Sequence, residues 1–289
     1  MGSLNAAAAK LGLGTTAICA LLLAAALFQF MCLDAASTRR FTVSAATVAD
    51  GQVYRIVTSS FLHGGLLHFG MNLASTTAIG SALERTAGTV RLLAITAWAV
   101  PLAGVISCAL SLALAFATRD EALARQHALG FSGVIFALAP CEAARGGGRR
   151  SVFGLVEVPA RLYPWALLVA MQVIVPHVSF VGHLGGLVVG SLEVTGWLAV
   201  ALPSANAVAA VDARCARLPG YAPAGDAFEV RAASGAGDIL SVARHAAGFV
   251  VKLAGLGGAA SAARQRASLC LRGGRQSPPP APAGVSVEV

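Results

Sequence analysis

The sequence predicts an all-α membrane protein in which six apolar helices form one bundle, followed by a long tail. Two observations predict this fold class. First, 56% of the 289 residues are hydrophobic and only 12% are charged, whereas average soluble domains have about 25% charged residues. Second, the apolar residues fall into six stretches separated by polar segments, and the longest stretches reach the roughly 20 residues that cross a bilayer as a helix.

The first three predicted spans are long runs with almost no charge. The first run is longer than the core of a signal peptide, so we interpret it as a span. The second ends at the charged pair Glu84-Arg85. The third contains Pro101, which a membrane helix tolerates but which predicts a kink. We place these spans at residues 11–33, 66–83 and 92–118.

The last three predicted spans are shorter or interrupted. A polar segment precedes the fourth, and the glycine- and arginine-rich loop Arg145–Arg150 follows it. Two prolines interrupt the fifth. The sixth contains a single charge, Glu193, which we interpret as lying near the cytosolic interface. We place these spans at residues 128–144, 162–181 and 182–202.

Basic residues predict the orientation. With both termini in the cytosol, the inner segments have more Lys and Arg than the outer loops, as the positive-inside rule requires. This topology also explains the net charge of +8, because the basic residues form no compact, aromatic-interleaved patch that would predict nucleic-acid binding. The predicted inner residues are Lys10, Arg85, Arg91, Arg145, Arg149, Arg150, Arg161, Arg214 and Arg217, and the outer ones are Arg39, Arg40, Arg55, Arg119 and Arg125.

The predicted organisation is a cytosolic N-terminus at 1–10, a six-span core at 11–202 and a cytosolic tail at 203–289. The tail ends in a proline-rich run, Pro278–Pro282, which is typical of disordered polyproline II. Residues 238–266 predict either a basic helix on the membrane surface or a flexible segment, and the sequence leaves both open. The partner of the tail is not predicted.

Polar side chains inside membrane helices are costly and usually functional, and three fragments contain them. In the first, Gly130-Phe131-Ser132-Gly133, the serine is expected in the first turn of the fourth helix, close to unpaired backbone N–H groups and the positive end of the dipole. Such a position suits a nucleophile, with Gly130 and Gly133 allowing close approach. Taken alone, this motif is better explained by a serine that packs between helices.

The second fragment begins the sixth span at His183, followed by Gly186 and Gly190 on one helix face. Small residues four apart allow two helices to approach closely, and close backbones are what a Ser–His hydrogen bond needs. In the third fragment His68 and Asn72 share a face at i and i+4, where both can donate to a negative oxygen. His63, five residues earlier, is assigned a supporting role.

No carboxylate is positioned to complete a triad, since Glu193 lies roughly 15 Å further along the helix from His183. The predicted chemistry is therefore a Ser–His dyad. A zinc site built from His63, His68, His127 and His183 was considered, but the spacing fits no zinc pattern. The six cysteines contain no C-x-x-C pair. We expect no metal and no cofactor.

Together, the blocks at His63, His68 and Asn72, at Gly130–Gly133, and at His183, Gly186 and Gly190 resemble the rhomboid family of intramembrane serine proteases. The resemblance covers about residues 11–202 and is closest to the six-span eukaryotic type with a cytosolic tail. The Tyr54-Arg55 pair resembles the family's Trp-Arg loop motif with Tyr in place of Trp, and Glu84-Arg85 resembles its charged turn.

The resemblance implies that Ser132 is the nucleophile, that His183 is the general base, and that His68, Asn72 and the Ser132 amide form the oxyanion hole. It also implies that Phe136, one turn after Ser132, packs on the catalytic histidine. Implied substrates are single-pass transmembrane proteins in the lipid bilayer, cleaved near the non-cytosolic face. The expected location is the endoplasmic reticulum or another secretory-pathway membrane.

Two other classes of function are weighed. A catalytically inactive rhomboid-like protein would bind membrane clients for trafficking or retrotranslocation, but such relatives typically lack the Ser or the His that this chain has. A transporter or channel would require an inverted repeat or paired broken helices, and the sequence shows no such repeat.

Overall fold

The computed structural model describes residues 11–175 and 178–224. Within them, seven helices longer than two turns alternate in direction, and short one-turn helices decorate the 34–65 and 119–131 loops. A two-stranded antiparallel hairpin joins the fourth and fifth long helices. The long helices are α1 (Leu13–Cys32), α2 (Leu66–Ala87), α3 (Thr89–Thr118), α4 (Ser132–Gly146), α5 (Tyr163–Ile174), α6 (Phe180–Val194) and α7 (Ala205–Cys215), and the strands are β1 (Arg149–Val152) and β2 (Val156–Pro159).

Helices α1 to α6 lie where the six spans were predicted, but their ends differ. Helix α2 runs past Glu84-Arg85 to Ala87, because the Glu84 carboxylate is buried and hydrogen-bonded rather than solvated. Helix α3 starts three residues earlier than predicted and continues through Pro101. Helices α5 and α6 are shorter than predicted, and residues 195–202, predicted as helix, form turns and a 3-10 segment.

Within residues 11–175 and 178–224, α1 and α3 are the two helices that are both long and apolar enough to cross a membrane by length and composition. Helices α4, α5 and α6 have 15, 12 and 15 residues, and 15 residues measure about 22 Å, short of the roughly 30 Å hydrocarbon core. The number of membrane crossings therefore stays a prediction.

Helix α4 is the centre of the core and packs against α6, α3 and α2. Its contact with α6 is made by small residues: a Cβ added at Gly186 would collide with the Gly133 carbonyl oxygen, and one at Gly190 with that of Ala137. The two backbones are therefore in direct contact. Such an approach is available only to helices with glycine at the crossing.

The base of the bundle, where α1 and α3 begin and α4 and α6 end, is held by buried charges. The Glu84 carboxylate accepts four hydrogen bonds, from the backbone N–H groups of Gly14 and Thr15 and from the hydroxyls of Thr15 and Thr89, at 2.7–2.8 Å. It caps the first turn of α1 from another helix, because α1 has no side-chain cap of its own. Arg145 pairs with Glu193 at 2.7 Å, which ties the end of α4 to the end of α6.

Part of the predicted tail is ordered against this base. After α7, residues 218–224 form a segment that we call the base strap. The Gly220 carbonyl accepts from Leu13 N–H, and the Ala222 carbonyl accepts from Thr89 N–H, both at 2.7 Å. Asp212 of α7 accepts from Ala224 N–H at 3.0 Å. The expectations for 238–266 and Pro278–Pro282 lie outside the described residues.

Candidate active site

Ser132 and His183 meet at the end of the bundle opposite the base, which we call the Ser132 end. Ser132 is the first residue of α4, and His183 lies in the first turn of α6. The Nε2 atom of His183 is 2.9 Å from the Oγ atom of Ser132. His183 is 3% exposed. A nucleophile and a base in hydrogen-bond contact are the core of a serine hydrolase site.

Local sequence explains why the two side chains meet. The Ser179 hydroxyl caps α6 by accepting from Gly182 N–H at 3.1 Å, which starts the helix immediately before His183. Gly186 then lies on the Gly133 carbonyl and Gly190 on that of Ala137. This glycine contact brings the first turns of both helices within reach of one hydrogen bond.

The His183 ring is oriented by stacking rather than by a carboxylate. The Phe136 ring stacks on it at 4.5 Å between centroids and 23° between planes. The Nδ1 atom of His183 has no hydrogen-bond partner among residues 11–175 and 178–224. Glu193, the acidic residue on the same helix, is bound to Arg145 at the base. In this described part of the chain the pair is a dyad without a carboxylate partner.

His68 lies beside the serine. An added Cβ on Gly130 would be 2.9 Å from His68 Nε2 and 3.6 Å from Ser132 Oγ, so the imidazole edge and the hydroxyl border the same glycine. Gly130 also has φ +122°, a conformation that side-chain-bearing residues rarely adopt. The Nδ1 atom of His68 accepts from Gly64 N–H at 3.1 Å, which leaves the hydrogen of a neutral ring on Nε2, facing Gly130.

Asn72 is 3% exposed and stands one turn after His68 on α2. Its amide nitrogen donates one hydrogen to the His68 carbonyl at 2.8 Å, and a primary amide has a second hydrogen to donate. Helix α2, which carries His68 and Asn72, packs against α4.

His63 lies behind His68, in the loop before α2. The Gln29 side chain of α1 binds both backbone groups of His63, accepting from its N–H at 2.8 Å and donating to its carbonyl at 2.7 Å. The His63 ring meets the His68 ring edge-on at 5.4 Å and the Phe69 ring at 5.3 Å. Its predicted supporting role therefore corresponds to packing against His68.

The 34–65 loop is fastened over this end by contacts that span long sequence distances. Arg55 donates to the carbonyls of Arg39 and Thr42 at 2.8 and 2.9 Å, and Tyr54 donates to the Arg40 carbonyl at 3.0 Å. The Tyr54-Arg55 pair thus anchors the loop. The hydroxyl of Tyr54, which the tryptophan of the family's Trp-Arg loop motif lacks, provides this hydrogen bond.

The 34–65 loop also makes backbone and side-chain contacts with the segment immediately before Ser132. Val43 and Ala128 form a β-bridge, Gly130 N–H donates to the Ser59 carbonyl at 2.9 Å, and Thr42 Oγ1 contacts His127 Nδ1 at 2.9 Å. Burial, together with the nearby Arg39 and Arg55, lowers the pKa of His127. Sequence reasoning missed this role of His127, because it depends on a partner 85 residues away.

Next to the site lies a cavity of about 580 Å³, which the sequence analysis did not predict. It opens between the end of α1, the 34–65 loop and the segment before Ser132. His63 and Gly64, which contact His68, form one wall, and Asp34, Arg39 and His127 give it a polar lining. Water can therefore come close to the buried dyad from the loop side.

As for metals, the described residues contain no group of three or more His, Cys, Asp or Glu side chains arranged to hold an ion. The His183 nitrogen that faces Ser132 is engaged with a hydroxyl, and His127 is engaged with Thr42. The four histidines considered for zinc therefore do not converge on one point in this part of the chain.

Comparison with known proteins gives matches across the same region. The Rhomboid domain model matches residues 50–200. The chain is 38% identical over 148 residues to Rhomboid-like protein 15 of Arabidopsis thaliana, covering 50% of this chain and 37% of that protein. It is 37% identical over 149 residues to human Rhomboid-related protein 4, covering 49% and 45%.

A fungal relative has a name that states an activity. Rhomboid-type serine protease 2 of Yarrowia lipolytica is 29% identical over 171 residues, covering 58% of this chain and 55% of that protein. The chain therefore matches between about a third and about a half of the length of these relatives. Since the domain model covers more than half of the chain and includes Ser132 and His183, the chain belongs to the rhomboid family of membrane-embedded proteins.

Proposed function

We propose that this protein is an intramembrane serine endopeptidase that hydrolyses peptide bonds in or near the transmembrane helices of single-pass proteins. The observation that carries the proposal is the 2.9 Å contact between Ser132 Oγ and His183 Nε2. The stacked Phe136 ring holds the imidazole in that orientation. The serine protease name of the fungal relative supports the same reaction class.

In the proposed mechanism, Ser132 Oγ attacks the scissile carbonyl carbon while its proton passes to His183 Nε2. The carbonyl oxygen becomes an oxyanion, for which His68 Nε2–H, the second amide hydrogen of Asn72 and the Ser132 N–H are the donors. The Ser132 amide suits this role because the first residue of a helix has no intrahelical acceptor for its N–H.

Collapse of this intermediate breaks the C–N bond, and His183 returns the proton to the leaving amine. Water then attacks the acyl-enzyme, with His183 again taking a proton, and the carboxylic acid product leaves as Ser132 is restored. The polar cavity beside His63 and Gly64 supplies that water from the loop side. No cofactor enters the scheme.

The same proposal places the enzyme in an endoplasmic reticulum or other secretory-pathway membrane, with both termini cytosolic and the Ser132 end facing the opposite side. Its support is the excess of Lys and Arg in segments at the base. The substrate is therefore cut near the non-cytosolic surface.

The test is cleavage of a co-reconstituted single-pass substrate by the wild type, Ser132→Ala and His183→Ala. Loss of either member of a catalytic pair should lower kcat by about 10⁴-fold or more. The matched control is Ser191→Ala, because the Ser191 hydroxyl only donates to the Leu187 carbonyl within α6. That variant should cleave at the wild-type rate.

Labelling with a fluorophosphonate provides a second readout. The wild type and Ser191→Ala should be labelled, and Ser132→Ala should not. Equal cleavage by all four proteins would reject the dyad. A folded wild type that is neither labelled nor active on several substrates would instead favour the inactive, client-binding alternative.

A further inference from the structure

The β1–β2 hairpin lies at the base, far from the dyad, and the proposed reaction does not use it. It connects the end of α4 to the start of α5 through paired residues from Arg149↔Pro159 to Val152↔Val156. We call Phe153, Gly154 and Leu155 the hairpin tip. The side chain of Leu155 is 83% exposed, and half of Phe153 and more than half of Val156 are exposed as well. A short tip with three neighbouring exposed apolar residues needs a partner in water.

The backbone of the hairpin tip holds Phe153 at a positive φ, a conformation that bulky residues rarely adopt. Leu155 N–H donates to the Val152 carbonyl at 3.0 Å, and the two residues inside that turn, Phe153 and Gly154, have φ +52° and +73°. Such a turn favours Asn-Gly or Gly-Gly, because bulky residues are strained at positive φ. A phenylalanine stands there against the local preference, and such backbone strain often marks a functional position.

The position of the hairpin indicates what covers the tip. Both strands pack against α5, so the hairpin lies along that helix instead of projecting away from the bundle. Helix α5 has only 12 residues, about 18 Å, and is too short to cross the roughly 30 Å hydrocarbon core by itself. Leu162, at the start of α5, is also half exposed, which extends the apolar surface towards the helix.

Basic side chains border this surface. Arg149 is paired with Glu157 across the hairpin and Arg150 with Glu142 of α4, while Arg161 is exposed beside Leu162. Apolar side chains flanked by arginines at the end of a membrane helix match the interfacial zone of a bilayer, whose headgroups carry negative charge.

We propose that the hairpin tip inserts into the interfacial zone of the bilayer at the base, with Arg149 and Arg161 contacting anionic lipid headgroups. The hairpin is then a second membrane anchor of α5, separate from the helix itself. This inference rests on membrane embedding, which the family establishes, and not on the proposed peptidase activity.

The test uses the full chain in vesicles of phosphatidylcholine with phosphatidylserine. Leu155→Trp adds a reporter at an exposed position, and its emission is obtained by difference from the wild type, which has three tryptophans. The added emission should be shifted to the blue, quenched by lipids brominated on the upper acyl chain, and shielded from aqueous iodide. Emission quenched by iodide and unaffected by the brominated lipids would overturn the proposal.

Phe153→Asn in the Leu155→Trp background is the matched control, because asparagine tolerates positive φ and keeps the turn. It should reduce quenching by brominated lipid while leaving thermal unfolding unchanged or raising its midpoint. Unchanged quenching would show that the aromatic residue is not an anchor. Quenching should also fall in pure phosphatidylcholine and in Arg161→Gln, and equal quenching in both lipids would overturn the role of the arginines.

Discussion

The two ends of the helix bundle treat buried polar groups in opposite ways. At the base, the carboxylate of Glu84 has four donors and that of Glu193 has an arginine. At the Ser132 end, His183 Nδ1 and Asn72 Oδ1 have no hydrogen-bond partner among the described residues. An unpaired buried polar group costs about 1–3 kcal/mol. The base therefore stabilises a fold whose other end keeps polar atoms available for a reacting group.

Gly186→Ala should have the largest effect on stability and activity. It would push apart α4 and α6, the two helices that run from the Ser132 end to the base. The added Cβ would collide with the Gly133 carbonyl oxygen, and two backbones cannot move apart locally as side chains can. We expect a loss of about 3 kcal/mol or more in the free energy of unfolding, with loss of the Ser132–His183 contact. Thermal unfolding in detergent and fluorophosphonate labelling measure the two effects.

Gly70→Ala is the control for that substitution. Gly70 is also in a helix, but nothing lies within 4 Å of a Cβ added there. It should unfold at the wild-type temperature or above, since alanine favours helix. If Gly186→Ala retained both stability and labelling, the close contact between α4 and α6 would be wrong.

Glu84→Gln should have the next largest effect and should act on stability alone. Glutamine loses the charge and replaces one acceptor oxygen by a donor, so one backbone N–H and one threonine hydroxyl lose their acceptor. We expect unfolding to be easier by about 3 kcal/mol, with kcat of the folded protein unchanged. The exposed pair partner Glu157 provides the control, since Glu157→Gln should cost less than about 1 kcal/mol.

A fall in kcat for Glu84→Gln, measured well below its unfolding temperature and as severe as that of Ser132→Ala, would contradict the division between the two ends. The comparison would then describe one coupled network. A loss of stability with normal turnover would show that the base contributes to stability and the Ser132 end to catalysis.

Acidification should have the smallest effect on stability, and the loss should come first from protonation of groups at the Ser132 end. Because the pKa of His127 is lowered in the folded protein, the unfolded chain binds its proton first as the pH falls. Neutral His127 stabilises the folded state fully above about pH 6.5. This contribution to the free energy of unfolding is lost as the pH drops through the folded-state pKa of His127. His63 adds to this loss at lower pH, since burial and His68 lower its pKa to about 4.

The measurement is the unfolding temperature of the wild type and of His127→Gln at pH 7.5 and 5.5. The wild type should lose stability on acidification, and the variant should lose less. A wild type that gains stability at pH 5.5 would contradict the environment assigned to His127, which is flanked by Arg39 and Arg55.

The sequence could predict the positions of the helices and that Ser132 and His183 come together, because apolar runs and short motifs are local. It could not predict the helix ends, because these depend on distant groups: α1 starts where the carboxylate of Glu84, 70 residues away, can cap Gly14. The contact of His127 with Thr42 could not be predicted either, because the two residues are far apart in the sequence. The sequence predicts a loop at Arg145–Arg150 but does not predict the hairpin that starts at Arg149, since its strands are short and their pairing is visible only in space.

The base strap has a consequence for the order of folding. The first N–H groups of α1 are satisfied by Glu84, in the next long helix, and by Gly220, which follows all seven long helices. Both residues are synthesised after α1. During synthesis α1 therefore reaches the membrane with an incomplete first turn, and non-local contacts of this kind are slow to form. Helix α1 is therefore completed only after the base strap has been synthesised.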